Sequence, residues 1–158
     1  MNANIVAFLA MVRYSEGTAN YPDPYAVTFE GKFTITDFSD HPAVLGDWKG
    51  EPLDFLGPEY ADKVSTAAGA YQIIRPTWLA CRNALSLPDF TAPSQDKAAV
   101  YLIKQKGAYG LIVGGALPEA IAACSSLWAS LPGSQADQPT AKMAALVNQF
   151  TAAGGMQA

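Results

Sequence analysis

The stretch "IVAFLAMVRYSEGT", Ile5 to Thr18, decides how the rest of the chain is read. Ile5, Phe8, Leu9 and Val12 fall at the i, i+3, i+4, i+7 spacing that lines apolar side chains along one stripe of an α-helix. Glu16, four residues after Val12, continues that stripe. Gly17 then supplies the residue that most readily takes the left-handed conformation closing a helix. A carboxylate at the end of a core-facing stripe either turns out to solvent at a frayed terminus or is held in a cleft beside apolar neighbours, and the local sequence leaves both open. "IVAFLAMV" is too short to span a bilayer, has no basic residue before it and no small-residue cleavage site after it. It reads as a folded helix, not a secretion signal, and no stable membrane association is expected.

Outward from this helix, "NYPDPY" (Asn20 to Tyr25) holds two prolines that stop helical continuation. "YAVTFEGKFTIT" alternates: Tyr25, Val27 and Phe29 precede a Glu30-Gly31 turn, and Phe33 and Ile35 follow it, which predicts a β-hairpin. From Pro42 to Val64 glycines and prolines interrupt apolar residues, and Trp48, Leu53, Phe55 and Leu56 read as exposed on a functional lip. The remainder is predicted helical. Pro76 opens a helix to about Leu85, and Ser94 caps a second that stops at Gly107. Pro118 starts a third on which Ile121, Cys124 and Trp128 share a face, and Leu131 to Pro139 breaks it. Thr140 caps a last helix with the stripe Met143, Leu146, Val147 and Phe150, ending at Gly154-Gly155. The expected architecture is one mostly helical α+β domain over 1–158, with a small antiparallel sheet inserted after the first helix.

A chain of 158 residues, 50% hydrophobic and 15% charged with net charge −4, has the composition of an ordinary soluble globule. At this length folding removes roughly 68–70% of the surface of the unfolded chain, so neither disulfide nor metal is required for stability. The ten Lys and Arg are scattered, which argues against nucleic acid as a partner. Cys81 and Cys124 read as buried core thiols, although spacing alone does not exclude a bridge. With His41 as the only histidine, a zinc site is not expected. The phosphate-loop, dinucleotide and serine-elbow signatures are missing, which leaves carboxylates and hydroxyls to carry chemistry without a cofactor.

Four stretches remain: "YSEGT", "TDFSDHP" (Thr36 to Pro42), "STAAGAYQI" (Ser65 to Ile73) and "WASLPG" (Trp128 to Gly133). Their order, together with "LPDFTAPSQD" (Leu87 to Asp96) and the closing "AAGG", resembles the lambda-type phage endolysins. These are lysozyme-like lytic transglycosylases that cut bacterial peptidoglycan, and the resemblance runs nearly end to end. It implies a lysozyme-like fold and cleavage of the β-1,4 bond between N-acetylmuramic acid and N-acetylglucosamine for host lysis. It also implies that one carboxyl acts first as acid and then as base toward the sugar's own 6-hydroxyl, closing a 1,6-anhydro ring. Glu16 matches that carboxyl, and burial against apolar neighbours would keep it protonated near neutral pH.

The substrate-contact candidates are Asp37, Ser39, Ser65, Tyr71 and Gln72. Asp37, Ser39 and Asp40 also suit simple capping of the turn before Pro42, and His41 reads as a turn residue. In "STAAGAYQI" the small residues would let a sugar approach the backbone, Tyr71 would offer a ring face and hydroxyl, and Gln72 both a donor and an acceptor. The alternative there is a tight turn feeding the Pro76 helix. Related lysozyme-like folds place a Gly…Gln segment across from the catalytic Glu, which supports Gln72. The chain departs from lambda-like members in a longer Pro42–Ser65 stretch, in Ala70 where those members tend to carry arginine, and in lacking a tyrosine after "SLPG". As such an enzyme it would work as a monomer, accumulate in the host cytoplasm and need a holin to reach the wall. Two rivals are a hydrolase using Asp37 or Asp40 as second carboxylate, and a non-catalytic wall-binding or virion module.

Overall fold

The computed structural model describes residues 1–133 and 140–158. The chain forms two compact units: Met1–Asn20 with Ala99–Ala158, and Tyr21–Ala98. Among its described residues the first has helices as its only regular secondary structure. Helix α1 (Ala3–Glu16) starts at Asn2, whose side chain accepts from the Asn4 N–H. It stops at Gly17, which takes φ 81° and returns its N–H to the Tyr14 carbonyl. The expected stripe is real: Ile5, Phe8, Leu9 and Val12 are buried, each such side chain worth roughly 1.5–3 kcal/mol when fully removed from water.

Five further helices complete the order around and after the boundary: α3 (Arg75–Leu85), α4 (Ala92–Gln105), α5 (Tyr109–Val113), α6 (Leu117–Cys124) and α7 (Thr140–Ala152). The short α2 (Pro42–Leu45) precedes them. In the first unit α1 packs on α5 and α7, where Leu146 and Phe150 close the core. Asn4 clips this unit together: Nδ2 donates to the Ile112 and Met156 carbonyls, and Oδ1 accepts from the Met156 N–H. Helix α5 went unanticipated because its five residues lie between Gly107 and Gly114-Gly115, too short a run to show periodicity. Trp128 is buried as expected, but on a turn beyond α6. The side-chain cap expected of Thr140 and the break over 134–139 lie outside the described residues.

In the second unit the predicted hairpin is corrected. Its turn is in place, with Glu30 and Gly31 at φ 60° and 69°, but Val27↔Thr34 is a single bridge. The Thr28 hydroxyl explains this, donating to the Phe33 carbonyl at 2.6 Å and accepting from the Phe33 N–H at 3.1 Å, so a side chain takes the place of the ladder. Thr28 itself bridges to Ala68. The antiparallel sheet instead pairs β1 (Glu51–Pro52) with β2 (Val64–Ser65), inside the segment read as irregular. There Trp48 is not exposed: it is 7% accessible, lies parallel to the Phe33 ring at 6.2 Å and donates from Nε1 to Glu51. Of the four apolar residues read as exposed, Phe55 and Leu56 are, at 57% and 52% accessible, and Leu53 is half-buried.

Helix α4 begins before the expected cap. Asp89 accepts from the Thr91 N–H and hydroxyl, and from the Ser94 hydroxyl, so Ser94 sits inside the first turn. Cys81 and Cys124 are buried free thiols, pushed by burial up to about 11 and about 12, where they are inert.

Candidate active site

Glu16 is the last residue of α1 and is half-buried. Burial pushes its carboxyl up to about 7, against a hydrogen bond from the Ser130 side chain and the positive charge of Lys142, which pull the other way. The negative end of the helix dipole at this terminus also disfavours the anion. The two residues before it on α1, Tyr14 and Ser15, line a hollow of about 380 Å³ together with Asn20, Lys142, Ala145 and Leu146. Ser15 reaches Ser130 through its hydroxyl, at 3.1 Å from the Ser130 carbonyl and 2.9 Å from Ser130 Oγ. Neither Ser130 nor Lys142 was assigned a role from sequence. "WASLPG" marked the first only as part of a motif, and nothing local marked the second.

The remaining candidates all belong to the second unit. Asp37 and Ser39 are exposed, and Asp37 Oδ1 accepts from the Ser39 N–H at 2.9 Å. Hydrogen bonds from the Ser39 side chain and backbone hold the Asp37 carboxyl below the usual range. Ser65 ends β2 half-buried, its hydroxyl accepting from the Ala67 N–H. Gln72 is half-buried at φ 50°, a conformation costly for a residue with a side chain. It is braced there by Nε2, which donates to the Val27 and Gly69 carbonyls. Tyr71 does not offer a ring face outward. It has no exposed surface, meets Tyr25 edge-on and donates its hydroxyl to Asp96 Oδ1. The small residues Ala67, Ala68 and Ala70 are likewise buried against protein. Gly69, at φ 80°, leaves room for Gln95, whose Oε1 would lie 2.2 Å from an added Cβ.

Asp40 and His41 are structural. Asp40 Oδ1 accepts from Trp78 Nε1 and the His41 N–H, both at 2.8 Å, and Oδ2 pairs with Arg82. His41 is fully buried, with Nε2 at 2.9 Å from the Ile73 carbonyl and Nδ1 accepting from the Ala43 N–H. That arrangement fixes the neutral tautomer, and burial lowers the ring's pKa. No group of His, Cys, Asp or Glu among the described residues is placed to hold a metal ion.

The family model for endolysins matches residues 6–157. The endolysin of Escherichia phage P2 is 39% identical over 163 residues, spanning 98% of this chain and 95% of that one. The endolysin of Escherichia phage lambda is 40% identical over 154 residues, spanning 94% and 90%. Among solved structures, lysozyme from bacteriophage lambda superposes with a TM-score of 0.86 at 37% identity, over 100% of this chain and 98% of that one. Bacteriophage lambda lysozyme complexed with a chitohexasaccharide gives 0.82 at 38% identity, with the same coverage. A helix-terminal glutamate held near neutrality, on a fold that matches lambda lysozyme along its whole length, thus comes from a chain that belongs to the endolysin family.

Proposed function

We propose that this endolysin is a cofactor-free lytic transglycosylase that cuts the β-1,4 bond between N-acetylmuramic acid and N-acetylglucosamine in bacterial peptidoglycan, with Glu16 as its one acid/base. The observation that carries the reading is the Glu16 carboxyl pushed up to about 7 by burial, since a group poised near the working pH can both give and take a proton. The protonated carboxyl delivers its proton to the glycosidic oxygen as the bond to the muramic C1 breaks through an oxocarbenium-like state. The resulting carboxylate takes the proton of the muramic 6-hydroxyl as its oxygen bonds to C1. Glu16 ends protonated, no water is consumed, and a 1,6-anhydro end results. The chitohexasaccharide bound by lambda lysozyme, a β-1,4-linked N-acetylglucosamine oligomer, supports a glycan strand as substrate.

A hydrolase would need a second carboxylate, and the two candidates are poorly suited. Both Asp40 oxygens are already committed, and the hydrogen bonds from Ser39 make Asp37 a weak base. Asp37, Ser39, Ser65 and Gln72 are proposed as glycan contacts; Tyr71, buried with its hydroxyl on Asp96, is not kept among them. The enzyme is proposed to act as a monomer and to reach the wall from the host cytoplasm after a holin opens the membrane. Among the described residues no helix is long and apolar enough to cross one.

Mass analysis of digested peptidoglycan tests the chemistry. The expected muropeptides carry 1,6-anhydro ends, each one water lighter than a hydrolytic product and resistant to borohydride. Reducible muramic acid as the main end would refute transglycosylation.

A further inference from the structure

We infer that the hollow at the last turn of α1 receives a carboxylate of the peptide stem of peptidoglycan, held by Lys142 and Asn20. The inference rests on cleavage of peptidoglycan at Glu16 and adds a part of the substrate that the glycan contacts leave out. The hollow, about 380 Å³ and lined by Tyr14, Ser15, Asn20, Lys142, Ala145 and Leu146, lies wholly in the first unit. Its volume is at the lower end of the roughly 300–1,000 Å³ usual for ligand sites, room for a short piece of peptide and not for a glycan strand. Tyr14 and Ser15 immediately precede Glu16 on α1. Consecutive residues lie about 3.8 Å apart at Cα, so an occupant of the hollow lies within a few residues' reach of the carboxyl.

The chemistry of the lining selects the occupant. Lys142 is half-buried, and the ion pairs among the described residues, Lys32 with Glu30 and Arg82 with Asp40, leave it out. The Ser15 hydroxyl is already committed to Ser130. The lining side chains that carry N–H donors are therefore the Lys142 ammonium and the Asn20 amide. Together they match the two oxygens of a carboxylate, and hydrogen bonds between charged groups are the strong ones. A partly buried cation without a counter-charge costs free energy, which a bound anion offsets. The glycan itself offers no such charge, since its sugars carry hydroxyl and acetamido groups. The free carboxylates of the substrate belong to the peptide that hangs from the lactyl group of N-acetylmuramic acid, the sugar whose C1 reacts at Glu16. The stem thus leaves the strand next to the bond that is cut. The apolar part of the lining, Ala145 and the buried Leu146, suits the methyl groups of the lactate and alanine with which the stem begins.

The test titrates the full-length enzyme, by calorimetry, with the disaccharide peptide N-acetylglucosaminyl-N-acetylmuramyl-peptide, which lacks the bond that is cut. The same compound with its carboxylates converted to primary amides is the comparison. The native form should bind about 10-fold more tightly, the scale of one hydrogen bond to a charged group. Lys142→Met should lose that preference, Asn20→Ala should reduce it, and Lys142→Arg should keep it. In turnover of soluble, uncross-linked strands, Lys142→Met should raise KM about 10-fold on native strands and leave it unchanged on amidated ones. The Lys142 charge also acts on Glu16, an effect on kcat that both substrates share, so KM is the deciding quantity. Equal affinity for the two forms, no binding of either at millimolar concentration, or a KM raised equally on both substrates would overturn the stem site while leaving Glu16 and the end chemistry as they are. Conversely, reducible muramic acid ends or an active Glu16→Gln would refute the transglycosylase reading without altering the binding contrast between the two forms.

Discussion

The end of α1 and the turn before α2 each place a carboxylate at a reversal of the chain, and the two are driven in opposite directions. Glu16 is half-buried, and burial pushes it up to about 7 against the opposing pull of Ser130 and Lys142. Asp37 is exposed and held low by Ser39, while Asp40 nearby in sequence is saturated by Trp78, the His41 backbone and Arg82. Residue type does not separate these groups. Desolvation against hydrogen bonding does: exposure with donors from Ser39 favours the Asp37 anion, and burial favours the Glu16 acid. Of Glu16 and Asp37, only Glu16 is raised toward neutrality.

The most severe way to break this contrast is Glu16→Gln. The amide keeps the shape but cannot carry the proton, so lytic turnover should fall by about 10²–10⁴-fold while circular dichroism stays native. A folded variant with near-parent activity would remove Glu16 from the mechanism. Next comes Asp40→Ala, which strands the Arg82 guanidinium and Trp78 Nε1. With the Asp40 side chain 18% and that of Arg82 32% accessible, the loss should be about 2–3 kcal/mol in urea unfolding, below the range for fully buried pairs. An unchanged unfolding midpoint would show that the cluster holds nothing.

Stability against pH sharpens the same comparison. Between the ordinary value of 4.5 and about 7 the folded protein holds the Glu16 proton more tightly than the unfolded chain. The contribution of this group is full below 4.5, falls as pH rises through that window and is flat above it. The loss amounts to about 2 kcal/mol once partial exposure is allowed for. Glu16→Gln escapes it, so at pH 8 the variant should melt roughly 4–8 °C above the parent, with the gap closing at pH 4. An equal gap at both values would mean that burial does not set the Glu16 proton. The smallest effect belongs to Asp37→Asn. The amide oxygen can still accept from the Ser39 N–H, so stability should change by no more than about 0.5 kcal/mol. Turnover should slow or binding weaken without the reaction being abolished, and complete loss of activity would revive Asp37 as a second catalytic carboxylate.

Much of the helical skeleton was legible, because its signals act within one or two turns. The Ile5–Val12 stripe, the stop at Gly17 and the Pro76 opening of α3 each appear where local spacing and backbone chemistry put them. Misreadings arose where a side chain did what the backbone was expected to do. The Thr28 hydroxyl replaced a hairpin ladder, and Asp89 moved the start of α4 ahead of Ser94. Alternation of apolar residues signals a two-sided surface, and it does not reveal whether the neighbouring backbone will be free to pair.

For the site, the sequence by itself singled out Glu16, through its place on the stripe and the order of the motifs around it. Only the tertiary structure decided that this carboxyl is held near neutrality, that Tyr71 is buried with its hydroxyl on Asp96, and that Trp48 is buried against Phe33. The reason is range. Helix periodicity and caps are set by residues up to four apart, whereas desolvation and hydrogen-bond partners depend on what the folded chain brings close. Ser130 reaches Ser15 from 115 residues away and Asp96 meets Tyr71 from 25, distances over which no local pattern in the sequence carries information.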